Sequence, residues 1–176
     1  MVTLNFLFWM FIVLFGVIGA MRGWAKELLV TFSVILALAF IALLEAYVPF
    51  IKTLPKDSST LFWIQTILMC TLVFFGYQTV YIPRLAPKAH RERLSDSLLG
   101  FFLGALNAYL IFGSLWFYMA QAGYPFPNLV SQPVPGTPQG DAALNLVKYL
   151  PPVVFGPPLV YFAVILAFIF VIVVYI

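Results

Sequence analysis

The chain has 176 residues, of which 64% are hydrophobic, 18% are aromatic and only 9% are charged. Soluble domains carry about 25% charged residues, so this composition excludes a soluble globular protein and indicates an integral membrane protein in contact with the lipid bilayer. The net charge of +3 is better explained by membrane topology than by nucleic acid, and we expect no nucleic-acid partner. With Cys70 as the only cysteine, an intramolecular disulfide is excluded.

The apolar runs predict an all-α membrane protein, a single bundle of four to five transmembrane helices. A spanning helix needs about 20 apolar residues, so little of the chain remains for a soluble domain. The predicted spans lie at about residues 4–21, 28–47, 61–82, 98–118 and 158–176. The first run has no basic residues before it and is therefore predicted to be a retained helix rather than a signal peptide.

The connector between the first two spans is only long enough for a tight turn. Gly23 can take the left-handed conformation that ends a helix, and Arg22 suits the negative end of the first helix. Glu27 suits the positive start of the second helix, which is predicted to be a plain apolar span from Leu28 to about Tyr47. The third span carries polar interruptions at Gln65 and Gln78.

Basic residues predict the orientation of the bundle. With five spans, two connectors on one side hold six of the nine basic residues, namely Arg22, Lys26, Arg84, Lys88, Arg91 and Arg93. The other side holds three, namely Lys52, Lys56 and Lys148. The positive-inside rule then predicts an outside N-terminus and an inside C-terminus.

Small residues form one face of the fourth predicted span and recur in the first helix. In the fourth span the face contains Ser97, Gly100, Gly104 and Ala108, with Gly100 and Gly104 in a G-x-x-x-G pair. In and after the first helix the small residues are Gly16, Gly19, Ala20 and Gly23. Such faces let two helix backbones approach closely. The preferred interpretation is that helices one and four cross on these faces, and the alternative is a homodimer through Gly100 and Gly104.

The fourth span also holds the one amide predicted to lie deep in the bilayer. Asn107 is about 14 Å from Leu98 along the helix at 1.5 Å per residue. Polar groups at that depth are costly and often functional, and structural hydrogen bonding is the preferred interpretation for an amide. Ser95, Asp96 and Ser97 precede the apolar part and are predicted to cap its first turn.

The segment 121–157 is rich in proline and is predicted to be a stiff excursion on the outer surface. Within it, residues 141–150 are predicted to form a short interfacial helix capped by Asp141. The final span then follows, beginning at Pro158.

The sequence contains few residues from which a catalytic, metal or cofactor site could be built. All six acidic residues lie in connectors or at the ends of predicted helices, so we expect no carboxylate inside a span. The only histidine, His90, lies in a basic connector, and the sequence has no phosphate-binding glycine loop. We therefore predict no enzymatic activity, no metal site and no cofactor.

Two blocks of the sequence resemble the colicin V production protein family. The first is GAMRGWAKELL, residues 19–29, with an Arg-Gly-aromatic turn and a Glu soon after, and the second is RLSDSLLGFFLGALNAYLIF, residues 93–112, with an Asp ahead of a Gly-x-x-x-Gly-Ala helix. The matching positions are Arg22, Gly23, Glu27, Asp96, Gly100 and Gly104. The chain departs from the family pattern at Asn5, where the family is acidic, and at Asn107 or Ala108, where it has an Arg.

The resemblance implies a multi-pass protein of the bacterial inner membrane that is tied to export or envelope physiology, with no established chemistry. The leading hypothesis is a non-catalytic scaffold or accessory subunit of a larger membrane assembly, photosynthetic or respiratory, that contacts lipid or quinone. Its partner is expected to be a membrane protein or a second copy, bound through the small-residue faces. The alternative is a transporter or channel-like protein for export or envelope homeostasis.

Overall fold

The computed structural model describes residues 4–78, 90–126, 130 and 132–175, and for 90–92, 174 and 175 it describes the backbone alone. Within these residues the elements are helices: α1 Leu4–Arg22, α2 Trp24–Tyr47, α3 Pro49–Lys52, α4 Ser59–Tyr77, α5 His90–Gln121, α6 Pro138–Val147, α7 Pro151–Val154 and α8 Leu159–Tyr175. The end of the predicted third span, 79–82, and most of the basic connector, with Arg84 and Lys88, lie outside the described residues, as does the side chain of Arg91.

The prediction of four to five spans is confirmed. In the described part of the chain, α1, α2, α4 and α5 are each long and apolar enough to cross a membrane. A fifth span results if the segment Pro138–Val154, which contains α6 and α7, is joined to Leu159–Val173 of α8. The two segments are bent by 54° at the break between them. The chain is therefore a multi-pass membrane protein. We call the end of the bundle with the α1–α2 turn the turn end, and the end with α3 and α7 the loop end.

Helix α2 lies at the centre of the bundle, because it packs against α4, α5 and α8. Its buried positions recur at steps of three and four residues, as one face of a helix requires, and are Glu27, Val30, Thr31, Val34, Ala37, Leu38 and Ile41. Ala39 on a neighbouring face is also buried. This face includes a carboxylate and a hydroxyl, so α2 is not the plain apolar span predicted from its composition.

Helices α1 and α5 make the closest contact in the bundle, through their glycines near the turn end. A Cβ on Gly19 would overlap the carbonyl oxygen of Gly100, and a Cβ on Gly104 would overlap that of Phe15. A Cβ on Gly16 would come within 2.9 Å of the Phe101 ring. The structure thus pairs the two small-residue faces within one chain. Because α1 covers the glycine face of α5, that face is not free to bind a second copy of the chain.

Aromatic rings extend the α1–α5 contact toward the loop end. Phe11 and Phe112 stack with their centroids 4.1 Å apart, and Phe8 meets Trp116 edge-to-face at 5.5 Å. Aromatic pairs in such geometries contribute about 0.5–1.5 kcal/mol beyond their buried area. The interface therefore changes from close backbone contact at one end to large side chains at the other.

The short helix in the proline-rich segment is α6, and its position differs from the prediction of 141–150. It begins earlier, at Pro138, because Thr137 is the N-cap and accepts a hydrogen bond from the Gly140 N–H at 3.0 Å. Proline is favoured at the first helical position, which explains the earlier start. Asp141 lies in the first turn and accepts instead from the Gly136 N–H at 2.9 Å.

The end of the proline-rich segment also packs into the bundle rather than lying wholly on its surface. Leu150 is fully buried, and Pro151 fits against Gly113 of α5, where a Cβ would come within 2.6 Å of the proline ring. Gly113 lies about 12 Å from Gln121 along α5 at 1.5 Å per residue. The hydroxyl of Tyr109 donates to the Tyr149 carbonyl and holds the same segment.

Candidate functional site

The turn between α1 and α2 is held by a side chain from α5. Gly23 has a backbone φ of 88°, a conformation that favours glycine, and its Cα faces the Asp96 carboxylate. The Trp24 N–H donates to Asp96 Oδ1 at 3.0 Å. Asp96 therefore satisfies an N–H at the start of α2. The sequence predicted that Asp96 would cap its own helix, but α5 begins six residues earlier, at His90.

Arg22 and Glu27 form an ion pair across this turn. Arg22 Nη1 lies 2.8 Å from Glu27 Oε1, and the Glu27 side chain is 1% exposed while that of Arg22 is 21% exposed. The Arg22 guanidinium also lies 4.5 Å from the centroid of the Tyr77 ring in α4. A buried carboxylate is tolerated only with such a partner, since the cost of removing it from water is large.

Asn107 joins this pair from α5. Its Nδ2 donates to the Glu27 carbonyl oxygen at 2.9 Å and to Glu27 Oε2 at 2.8 Å, and its Oδ1 accepts from the Thr31 hydroxyl at 2.7 Å. Glu27 offers only acceptors at these two atoms, which fixes the orientation of the amide. Asn107 is completely buried, and both its donor and acceptor groups are used. We call Arg22, Glu27, Thr31 and Asn107 the turn-end cluster.

The turn-end cluster draws its residues from three candidate spans. Asn107 is fourteen residues from each end of the candidate span Arg93–Gln121, and Glu27 lies within the candidate span Trp24–Tyr47. Glu27 lies in the first turn of α2, at a helix end as the sequence predicted, but its side chain is buried against α5. The physical reason is the tight turn at Gly23, which starts α2 four residues before the predicted start at Leu28 and turns Glu27 toward α5.

A second polar pair lies at the opposite end of α2. Glu45 Oε1 accepts a hydrogen bond from Gln65 Nε2 at 2.7 Å, and Gln65 is 3% exposed. The pair lines a cavity of about 490 Å³ at the loop end, which we call the loop-end cavity. Glu27 and Glu45 are five helical turns apart, so both project from the same face of α2.

Apolar side chains separate these two polar sites. Along this face of α2, Val34, Ala37 and Leu38 are between 0% and 5% exposed. Met69 of α4 and Leu110 of α5 are buried in the same core. The two acidic residues are about 27 Å apart along the helix, which is close to the thickness of the hydrocarbon core of a bilayer.

Two buried hydroxyl groups lack a hydrogen-bond partner within the part of the chain that the structure describes: Thr66 Oγ1 and Tyr77 Oη. Tyr77 lies under Arg22 at the edge of the turn-end cluster. In the same residues no group of three His, Cys, Asp or Glu side chains is placed to hold a metal ion. Cys70 is exposed on α4.

The structure brings together residues that the sequence analysis treated separately. Arg22, Gly23, Glu27 and Asp96 meet at the turn end, and Asn107 contacts Glu27 directly. Ala108 is completely buried, next to Asn107 in α5. Sequence analysis missed Thr31, which lies one turn after Glu27 and was identifiable by that i+4 spacing.

Sequence analysis also missed the pairing of Glu45 with Gln65. The signal in the sequence was a second carboxylate on the face of α2 that carries Glu27, five turns further along. No spacing rule connects that carboxylate with a glutamine in another helix.

Comparison with known proteins gives one match. The family model described as Colicin V production protein matches residues 4–133, which include both ends of α2, all of α4 and α5, and every residue of the turn-end cluster. No curated protein and no solved structure matches the chain.

Proposed function

The chain belongs to the colicin V production protein family, and from this premise we propose that it is a non-catalytic scaffold or accessory protein of the bacterial inner membrane. The observation that carries the proposal is the turn-end cluster, whose charged and amide groups bind one another. The cluster joins α1, α2 and α5 through the Arg22–Glu27 ion pair and the bonds from Asn107 to Glu27.

The chemistry of the turn-end cluster supports a structural role. A side chain that binds a solute or relays protons needs a free donor or acceptor, whereas both N–H groups of Asn107 are used and its oxygen accepts from Thr31. Glu27 is neutralised by Arg22 at 2.8 Å. Such a network positions three helices relative to one another, which is the requirement for a rigid membrane scaffold.

The apolar centre of the bundle supports the same proposal. A transport path along α2 would pass Val34 and Ala37, which are completely buried. These side chains separate Glu27 from Glu45 and offer no polar group to a hydrated solute. In this conformation the two polar sites are therefore separate.

A partner of the scaffold would bind on the apolar outer faces, because the glycine face of α5 is occupied by α1. Helix α8 offers such a face, with Phe162, Leu166 and Val173 each more than 60% exposed. We propose a membrane-protein partner on this side, in an assembly such as a photosynthetic or respiratory complex, where lipid or quinone fills the remaining contacts. The six-to-three distribution of basic residues supports an outside N-terminus and an inside C-terminus.

Isolation from native membranes under gentle solubilisation tests the scaffold proposal. The expected result is a membrane-protein partner in constant stoichiometry, released by the double substitution Phe162→Ala and Leu166→Ala on α8. The control is Phe74→Ala on α4, which also removes a lipid-exposed ring, that one being 59% exposed. A chain that runs alone as a monomer after every gentle extraction would rule the scaffold out.

A transporter or channel-like function for export or envelope homeostasis is the second candidate. One observation favours it: Glu27 and Glu45 project from the same face of α2 near opposite sides of the membrane, and Glu45 lines an open cavity. Transport would require α2 to separate from α4 or α5 between these residues. Solute flux in liposomes that is lost in Ala37→Phe, which would block that route, would support this function over the scaffold.

A further inference from the structure

The loop-end cavity is a binding site that the scaffold proposal leaves unused. Its volume of about 490 Å³ is within the range of roughly 300–1,000 Å³ for small-molecule sites. Residues from α2, α3, α4, α5 and the α7–α8 connection line it, so several elements fix its shape. Its wall combines both signs of charge with apolar surface, a composition that restricts the ligands it can accept.

The cavity is lined by charged groups of both signs, Glu45 on one helix and Lys52 and Lys56 in the following segment. Glu45 lies on the α2 wall, with Oε1 held by Gln65 at 2.7 Å, and its Oε2 has no hydrogen-bond partner among the described residues. Lys52 and Lys56 also line the cavity, and both are exposed at its solvent side. A ligand with a donor cation and an anion can meet both sites, whereas a singly charged ligand satisfies one of them and is repelled by the other.

The apolar part of the cavity extends from these charges toward the centre of the bundle. Leu38 and Ile41 are one to two turns below Glu45 on α2, and Phe117 and Phe155 line the same space. The candidate spans end at Tyr47 and Gln121, beside the charged part of the cavity. The charges thus lie at the level of the lipid head groups, and the apolar wall lies at the depth of the hydrocarbon.

From this arrangement we propose that the loop-end cavity binds the head group of a zwitterionic phospholipid with a primary ammonium, of the phosphatidylethanolamine class. The ammonium donates to Glu45 Oε2 while Lys52 and Lys56 bind the phosphate, and the first part of an acyl chain lies along Leu38 and Ile41. The proposal is independent of the scaffold function. A soluble molecule with the same head group, glycerophosphoethanolamine, shares this chemistry and is the other source of such a ligand.

Native mass spectrometry of the purified full chain with three lipids of identical acyl chains tests the proposal. These are phosphatidylethanolamine, phosphatidylcholine, whose quaternary ammonium has no N–H to donate, and phosphatidylglycerol, which lacks the cation. We expect phosphatidylethanolamine to be retained at least fivefold more than either of the others. The substitution Glu45→Gln should remove this preference, and Lys52→Gln with Lys56→Gln should weaken all three lipids.

Matched controls separate the cavity from general charge effects. Asp57→Asn removes a negative charge from the same loop, at a residue that does not line the cavity, and Lys148→Gln removes an exposed positive charge elsewhere. Both should leave the preference unchanged. Equal retention of the three lipids, or an unchanged preference in Glu45→Gln, would overturn the proposal. If Glu45→Gln does not fold, the lysine double variant decides, because its side chains are exposed.

A competition arm identifies the source of the ligand. Displacement of the lipid by glycerophosphoethanolamine at millimolar concentration would show that the head group alone is recognised, so that a soluble ligand is sufficient. Binding of the diacyl lipid without such displacement would assign the site to a membrane lipid held through its apolar chain. Both results support the recognition of ammonium and phosphate, whereas binding that is insensitive to the lysine variants contradicts it.

Discussion

Replacing Asn107 by Leu removes the link between α5 and the Arg22–Glu27 ion pair while keeping a side chain of similar size. Two hydrogen bonds from Nδ2 to Glu27 and the one that Oδ1 accepts from Thr31 are lost. Hydrogen bonds between membrane helices average about 0.6 kcal/mol each, and a bond to a charged group contributes about 1.5–3 kcal/mol. Two bonds of the first kind and one of the second are lost, so we expect the free energy of unfolding to fall by about 3–4 kcal/mol.

The assay is reversible unfolding in bicelles, carried out as a double-mutant cycle with Glu27→Gln. The coupling energy between the two substitutions should be about 1–2 kcal/mol, since the residues are in direct contact. Thr71→Val is the matched control, because Thr71 is an exposed polar residue in a span and bonds only to its own helix. A loss no larger than that of the control, or a coupling below about 0.5 kcal/mol, would refute the structural role of Asn107.

Three further substitutions test the contacts that organise the bundle, all measured by the same unfolding assay. Gly100→Ala should lower the free energy of unfolding by about 2–3 kcal/mol, because its Cβ would overlap the backbone of α1. Gly156→Ala is the control, since its Cβ would meet only ordinary contacts at 3.5 Å or more. It should change the free energy of unfolding by less than about 0.5 kcal/mol. Gly113→Ala should cost about 1–2 kcal/mol by displacing Pro151, and an unchanged stability would show that the segment before α8 does not insert there. Asp96→Ala should cost about 1 kcal/mol by freeing the first N–H of α2, and an effect confined to α5 in hydrogen exchange would contradict the cap across helices.

The proline-rich segment shows which structural features cannot be predicted from local sequence patterns. Its composition indicates a stiff connection, and the structure contains a short helix there, Pro138–Val147. The burial of Leu150 and the contact of Pro151 with Gly113 depend on a groove formed by residues almost forty positions earlier. No local pattern identifies Gly113 as a docking position, because a single glycine in an apolar helix has several structural uses.

The glycine faces were easier to predict because close backbone approach has a strong local requirement. Gly19, Gly100 and Gly104 occur at spacings that place small residues on one side of each helix, and a bilayer offers few other ways to bring helices together. The choice between α1 and a second copy as the partner required the three-dimensional structure, in which α1 fills the face. The short α1–α2 turn keeps α1 close to α2 and α5, and this proximity within the chain decides the partner.

The sequence by itself determined the class of protein, the approximate positions of its spans and the family, because these depend on hydrophobicity along the chain and on short motifs at the α1–α2 turn and in α5. Only the tertiary structure decided the roles of the polar residues. Glu27 and Asn107 are eighty positions apart, and whether a buried carboxylate is an ion site or a structural one depends on the groups that surround it. Those groups come from three helices, α1, α2 and α5, whose mutual arrangement is set by packing that no single stretch of sequence contains.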